Sequence, residues 1–170
     1  MHFHAVEPPS VRKQFRARAM LSLLEIGGTM TDIMSVADRS RRMSLIRSRD
    51  TKPELALRRA LHARGHRYRL HVAGLPGKPD IVFAPRRVLI FVNGCFWHGH
   101  KCPTGHIPKS NSAFWLAKVT ANRARDAKNI RKARSLGWKV FVVWECQIRS
   151  QKLTQEVADR LSHRIRSRPR

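Results

Sequence analysis

The sequence predicts an α/β fold, a small mixed domain of strands and helices with one loop stapled by metal. Three observations predict it. Helix-period and strand-period segments follow one another in the order αβββαβα from residue 51 onward. One of them, RVLIFVN at 87–93, is almost continuously apolar, as a strand covered on both faces should be. The loop after that segment, and the end of the last strand-like segment, hold all three cysteines of the chain. A chain of 170 residues is long enough for one domain with a real core.

The first element is the helix in TKPELALRRALHARG, 51–65. Thr51 and Glu54 have capping-box spacing, Pro53 suits a first turn, and Gly65 can end the helix. Leu57, Ala60 and Leu61 share one face. HRYRLHV at 66–72 alternates and reads as a strand, followed by the turn-rich AGLPGKP. DIVFA (80–84) and RVLIFVN (87–93) read as two strands parted by a Pro85-Arg86 turn, the second being central. Residues 94–110 read as a long loop, and 111–136 as one long basic helix ended by Gly137. WKVFVVWE reads as a further buried strand, with Trp138 and Trp144 in the core. Leu153, Val157, Leu161 and Ile165 mark a last amphipathic helix. Residues 1–33 show little core pattern and read as a disordered extension, although Val11–Glu25 has the make-up of a basic amphipathic helix. The domain should begin after it, with Met43, Leu45 and Ile46 as anchors; residues 151–170 form the C-terminal helix and a basic tail expected to fray.

Composition narrows the partner. Lys and Arg number 35 against 11 Asp and Glu, a net charge of +24. Thirty of those cations lie in residues 41–170, so the part that reads as folded is the basic part. A polyanion, DNA or RNA, is the expected partner. No apolar run approaches the roughly 20 residues that span a bilayer. Three cysteines are an odd number, which favours metal ligation or free thiols over a disulfide framework, and a reducing cytoplasm.

Cys95, His100 and Cys102 stand at Cys-x4-His-x-Cys spacing, and Cys146 follows the last strand. Together they make a Cys3His set, a normal closed tetrahedral zinc arrangement, with His98 and His106 as competing fourth ligands. Asp80 opens an apolar strand, where an acid is unfavourable without a task. It suits Mg2+ beside a phosphate, or else caps a Pro-Asp turn. His98 is the candidate general base, with a loop histidine or a zinc ligand as the alternatives. Glu54 either caps its helix or orients a metal-bound water, and the two roles can coexist. Phe96 and Trp97, with Trp115, either stack on or wedge between bases, or cover the metal site as a small core. Cations surround the long helix, some to meet phosphates and others as a solvated face.

Five blocks, in order, resemble the very-short-patch mismatch repair endonucleases of bacteria: DRSRRMSLIRSRDTKPELALRRALHARG, LPGKPDIVF, IFVNGCFWHGHKCP, FWLAKV and GWKVFVVWEC. The resemblance covers about residues 36–150, so 34–150 reads as the mismatch endonuclease domain. It implies a restriction-endonuclease-like fold, a central mixed β-sheet flanked by helices, and a nick 5′ to the thymine of a T:G mismatch arising from deaminated 5-methylcytosine. It implies double-stranded DNA as substrate and functional association with a DNA-cytosine methyltransferase and mismatch-repair proteins. By the same resemblance the magnesium-binding Asp is Asp80, the catalytic His is His98 and the helix-borne Glu is Glu54. Zinc ligands are Cys95, His100, Cys102 and Cys146; intercalating aromatics are Phe96, Trp97 and Trp115. Where the best-known members have Thr-His, this chain has Val92-Asn93. Val92 can still offer a backbone carbonyl to Mg2+; Asn93 removes a titratable group but keeps hydrogen bonding. Gly99 and Lys101 also replace histidines. The competing readings are a restriction-type or structure-selective nuclease of the same fold, and a non-enzymatic zinc-stabilised DNA-binding module. A monomer is expected, because an asymmetric mismatch offers no two-fold axis. The expected setting is the bacterial cytoplasm, on the nucleoid.

Overall fold

The computed structural model describes Arg41 and residues 49–167. The predicted disordered extension 1–33, the anchors Met43, Leu45 and Ile46, and the last three residues of the tail lie outside the described residues. Helix α1 spans Lys52–Ala63. Strand β1 (Ile81–Phe83) and strand β2 (Val88–Asn93) form a hairpin through a 3-10 turn, Ala84–Arg86. Helix α2 spans Ser112–Ser135, strand β3 Lys139–Trp144 and helix α3 Gln151–Arg166. Among the described residues, no helix is long and apolar enough to cross a membrane.

The sheet is mixed, in the order β1-β2-β3. β1 runs antiparallel to β2, and β3 runs parallel to it. The apolar run predicted to be central is central, because alternate residues of β2 meet different layers. Val88, Ile90 and Val92 join Leu57 and Leu61 of α1 and Val157, Leu161 and Ile165 of α3. Leu89 and Phe91 join Ala133 of α2. A strand covered on both faces cannot alternate apolar with polar. Helix α2 is long but shallowly seated: only Trp115, Val119 and Ala133 are buried. Both α1 and α2 end as their glycines predict. Gly65 (φ +80°) and Gly137 (φ +78°) take the left-handed conformation beyond each helix. The next residue, His66 or Trp138, donates back to the carbonyl of Leu61 or Ala133, as in a Schellman motif.

Two expectations fail. HRYRLHV is not a strand: it makes one bridge, Arg69 with Val82, closed by two 2.9 Å hydrogen bonds. The chain then turns at His71, whose φ is +52°, so the alternation cannot extend into a ladder. β3 is mostly half-buried rather than buried, with Val143 its one fully buried residue. Of its flanking tryptophans, Trp138 is partly buried against the Val82, Leu89 and Ala133 cluster, with the Arg87 guanidinium over its ring, and Trp144 is half-buried and stacks on His100.

Candidate active site and metal centre

The strand ends set the site. β2 and β3 are paired in register to their last residues, Asn93 opposite Trp144. Cys95 and Cys146 each lie two residues further on, so the register alone brings them together. The Cys146 backbone N–H reaches the Cys95 sulfur at 3.4 Å. The loop then folds His100 and Cys102 back on them. His100 N–H donates to the Cys95 carbonyl, and Cys102 N–H to the His100 carbonyl, each at 2.9 Å. Gly105 closes the loop so tightly that a Cβ there would lie 2.0 Å from the His100 carbonyl oxygen.

The ligand atoms of Cys95, His100, Cys102 and Cys146 all lie within 4.8 Å of one another. Two donors about 2.3 Å from a tetrahedral ion sit about 3.8 Å apart, so the cluster fits a metal of that size. Of the three candidate histidines, geometry selects His100. His106 Nδ1 bonds the Pro103 carbonyl at 2.7 Å, and His98 turns away to Asp126. The thiols shift in opposite senses. The Thr104 hydroxyl and His100 lower Cys102 to about 6. Burial, then Cys95 and Cys102, push Cys146 up to about 11. The physical content is shared: one thiolate is tolerated and a second beside it is not, which is the frustration a dication relieves.

Beside this cluster lies a cleft of about 810 Å3. It is lined by Asp80, Glu54, Val92, Asn93 and His98, among others, so five residues singled out in the sequence do converge. Asp80 sits just before β1 with its carboxylate accepting the Val92 N–H at 2.7 Å. Burial pushes its carboxyl up to about 6 against the Val92 hydrogen bond, and the nearby charge of Glu54 raises it further. Glu54 is 4% exposed and fully engaged. It accepts the Thr51 hydroxyl at 2.8 Å, the Asp50 N–H at 3.0 Å and Arg58 at 3.0 Å. The capping-box spacing is thus used, but the acid reaches one residue further back than the N-cap.

His98 is held from α2. Its Nδ1 pairs with Asp126, whose carboxylate accepts and so assigns the ring proton to Nδ1. Asp126 is the sole carboxylate on α2, and the sequence reading gave it no role. A signal was present. Trp115, Val119, Asn122, Asp126 and Ala133 follow helical spacing along one face, so a carboxylate in that register points inward. Asn122 on the same face donates to the Trp97 carbonyl at 2.8 Å. Arg49 and Lys78 also line the cleft and were likewise not singled out, and with them lies Arg125, one of the α2 cations from which phosphate contacts were expected.

The aromatics form one cluster. Phe96 and Trp97 lie edge-on to each other at 5.1 Å, and Trp115 meets them at 5.0 and 6.0 Å. Trp115 is buried, at 7% exposure, so in the unbound chain it supports the other two from beneath. The exposed ring of the group is Phe114, 50% accessible and 5.1 Å from Trp115. The Lys118 ammonium lies 5.6 to 5.9 Å from the rings of Phe114, Trp97 and Trp115.

The chain has clear relatives. Residues 31–104 match the family described as DNA mismatch endonuclease Vsr. A type II nicking enzyme of Neisseria meningitidis is 45% identical over 137 residues, covering 81% of this chain and 98% of that protein. A type II nicking enzyme of Xanthomonas oryzae is 50% identical over 119 residues, covering 70% and 88%. The DNA mismatch endonuclease Vsr of Escherichia coli is 42% identical over 128 residues, covering 75% and 82%.

Proposed function

The chain belongs to the DNA mismatch endonuclease Vsr family, and on that premise we propose that it nicks duplex DNA 5′ to the thymine of T:G mismatches, with magnesium, in very short patch repair. Membership makes it a DNA endonuclease of a mixed, helix-flanked fold. One observation carries the finer reading. A half-buried carboxyl at Asp80, raised by desolvation, and an imidazole backed by Asp126 face one basic cleft. That the relatives are nicking enzymes and a mismatch endonuclease supports cleavage of one strand at a mismatch.

Each residue has a task in that reading. With Nδ1 committed to Asp126, His98 keeps Nε2 as the base that takes a proton from the attacking water. Asp126 orients the ring and stabilises the imidazolium that forms. Asn93, which lines the cleft, holds a phosphate oxygen through its amide. Arg49, Lys78 and Arg125 meet the backbone on either side. Phe96 and Trp97, with Trp115 behind them, enter the duplex beside the weakly stacked wobble pair. Asp80 and the Val92 carbonyl fit Mg2+, which commonly takes one or two carboxylates and fills its shell with water and phosphate oxygens. Bound there, it supplies Lewis-acid polarisation of the phosphate and neutralises the leaving oxygen. Zinc on Cys95, His100, Cys102 and Cys146 would fix the loop that carries His98 and the aromatics.

T:G pairs arise when 5-methylcytosine deaminates, so the working partners are a DNA-cytosine methyltransferase and mismatch-repair proteins. The enzyme acts as a monomer on the bacterial nucleoid. The test is a strand-labelled nicking assay with Mg2+ on duplexes carrying T:G, or a matched pair, at the second position of a CC(A/T)GG-like site. A nick on the T strand of the mismatched duplex alone, lost in His98→Ala, supports the reading. Cleavage of matched duplex at a similar rate points to a restriction-type or structure-selective nuclease. Tight salt-dependent binding without cleavage at any mismatch context points to a DNA-binding module.

A further inference from the structure

Helix α1 buries a cation where its pattern calls for an apolar residue. Its buried residues are Glu54, Leu57, Arg58, Ala60 and Leu61, and Arg58 is only 5% exposed. A buried guanidinium costs desolvation unless it is paired, and a methionine of similar reach would fill the space without that cost. The partners of Arg58 are acids. One Nη donates to Glu54 at 3.0 Å and the other to Asp50, while Nε has no partner among the described residues. The Tyr68 hydroxyl fixes the same turn of helix by donating to the Arg58 carbonyl at 2.9 Å. Glu54 lines the cleft beside Asp80. The Asp80 carboxyl is raised chiefly by burial; the Glu54 charge adds to this and the Arg58 charge opposes it. Both α1 charges therefore act on the same end of the cleft, with opposite signs.

We propose that Arg58 is a positioning residue for the magnesium site: a fixed cation that holds Glu54, offsets its charge and so sets how tightly the cleft takes up a divalent ion. The inference rests on the magnesium reading of Asp80 above. With Arg58 in place the unbound cleft carries two carboxylates and one cation, instead of two carboxylates alone. That lowers the affinity for a dication and lessens the repulsion between Asp80 and Glu54 before metal and DNA arrive. Arginine suits the task because it stays protonated in proteins and its forked donors can hold two carboxylates at once.

Mn2+ is the probe, because it takes the same oxygen ligands as Mg2+ and its EPR signal is lost on binding. It is titrated into the full chain at pH 8 and fixed salt, without DNA, and the uptake that Asp80→Asn abolishes is followed. Arg58→Met removes the charge but keeps the reach, and should tighten Mn2+ about 10-fold. Glu54→Gln leaves Arg58 unopposed and should weaken it about 10-fold. The double variant changes no net charge and should return to within about 3-fold of wild type, as should Arg58→Lys. The Mg2+ concentration that half-saturates nicking of a T:G duplex should move in the same directions. Weaker Mn2+ binding in Arg58→Met is what a merely structural tie would give, and it overturns the inference. So does an unchanged affinity. If Arg58→Met alone does not fold, Glu54→Gln and the double variant decide: no weakening in the first, or no return in the second, overturns the inference. Wild type without Asp80-dependent uptake defeats the magnesium reading and Arg58 with it; such uptake, unmoved by the charge changes, defeats the role of Arg58 alone.

Discussion

The Cys/His cluster and the carboxylate cleft grow from the same two strand ends, yet they are built in opposite ways. The cluster gathers four donors within 4.8 Å of one another and leaves no position for a substrate. The cleft holds a carboxyl pushed up to about 6 and an imidazole with one nitrogen committed, around about 810 Å3 of open space. A closed donor set stabilises a fold; an open and frustrated one is stable only when something else binds. The difference teaches what the loop between them is for. His98 lies between Cys95 and His100, so the closed site sets the position of the proposed base in the open one.

The largest effect should come from breaking the closed site. Cys146→Ser should cost several kcal/mol of stability and abolish nicking, because the loop loses its tie to β3. Thermal unfolding and zinc content check this, and a stable, active variant lacking zinc would show that the open site does not depend on the closed one. Next is Asp80→Asn, with loss of at least about 1,000-fold in activity expected, in line with removing a metal-anchoring charge. It should also stabilise the unbound protein near neutral pH. A half-buried acid raised from 3.8 to about 6 stabilises the fold below pH 4, and that contribution fades as pH rises through 6. Wild type should therefore lose up to about 3 kcal/mol across that window, and Asp80→Asn should not. Urea unfolding at pH 4 and 7 measures it. Asp126→Asn comes third: the ring of His98 loses its orienting carboxylate, and kcat should fall about 100-fold with binding intact. Phe114→Ala is the smallest. Removing a half-exposed ring should weaken the preference for mismatched over matched duplex about 3- to 10-fold, in a competition binding assay, with stability nearly unchanged.

Much of the closed site was legible in the sequence because its parts are local. Three ligands fall within eight residues, and the fourth stands two residues beyond a strand whose register is fixed by its apolar pattern. The central strand and both glycine-terminated helices were legible for the same reason. The open site was only half legible. Asp80 stands out as an acid at the start of an apolar strand, but its partner at Val92 depends on the β1-β2 hairpin. The Asp126 and His98 pair spans 28 residues and depends on how α2 lies across the sheet. Helical phase offered that pair, and charge alone hid it among seven cations. The alternation in HRYRLHV misled because periodicity does not register a left-handed residue at His71. Likewise Trp115 and Phe114 are adjacent in sequence but about 100° apart on the helix, so one is covered and the other faces solvent.

Metal content read beside activity tests whether one closed metal site serves one open one. The protein is dialysed against EDTA, its zinc is measured, and nicking of a T:G duplex is followed as Mg2+ is returned. One zinc per chain should persist while nicking is lost, and Mg2+ alone should restore it in wild type but not in Asp80→Asn. Restoration by zinc alone, or an active protein with no metal in the Cys95, His100, Cys102 and Cys146 cluster, would contradict it.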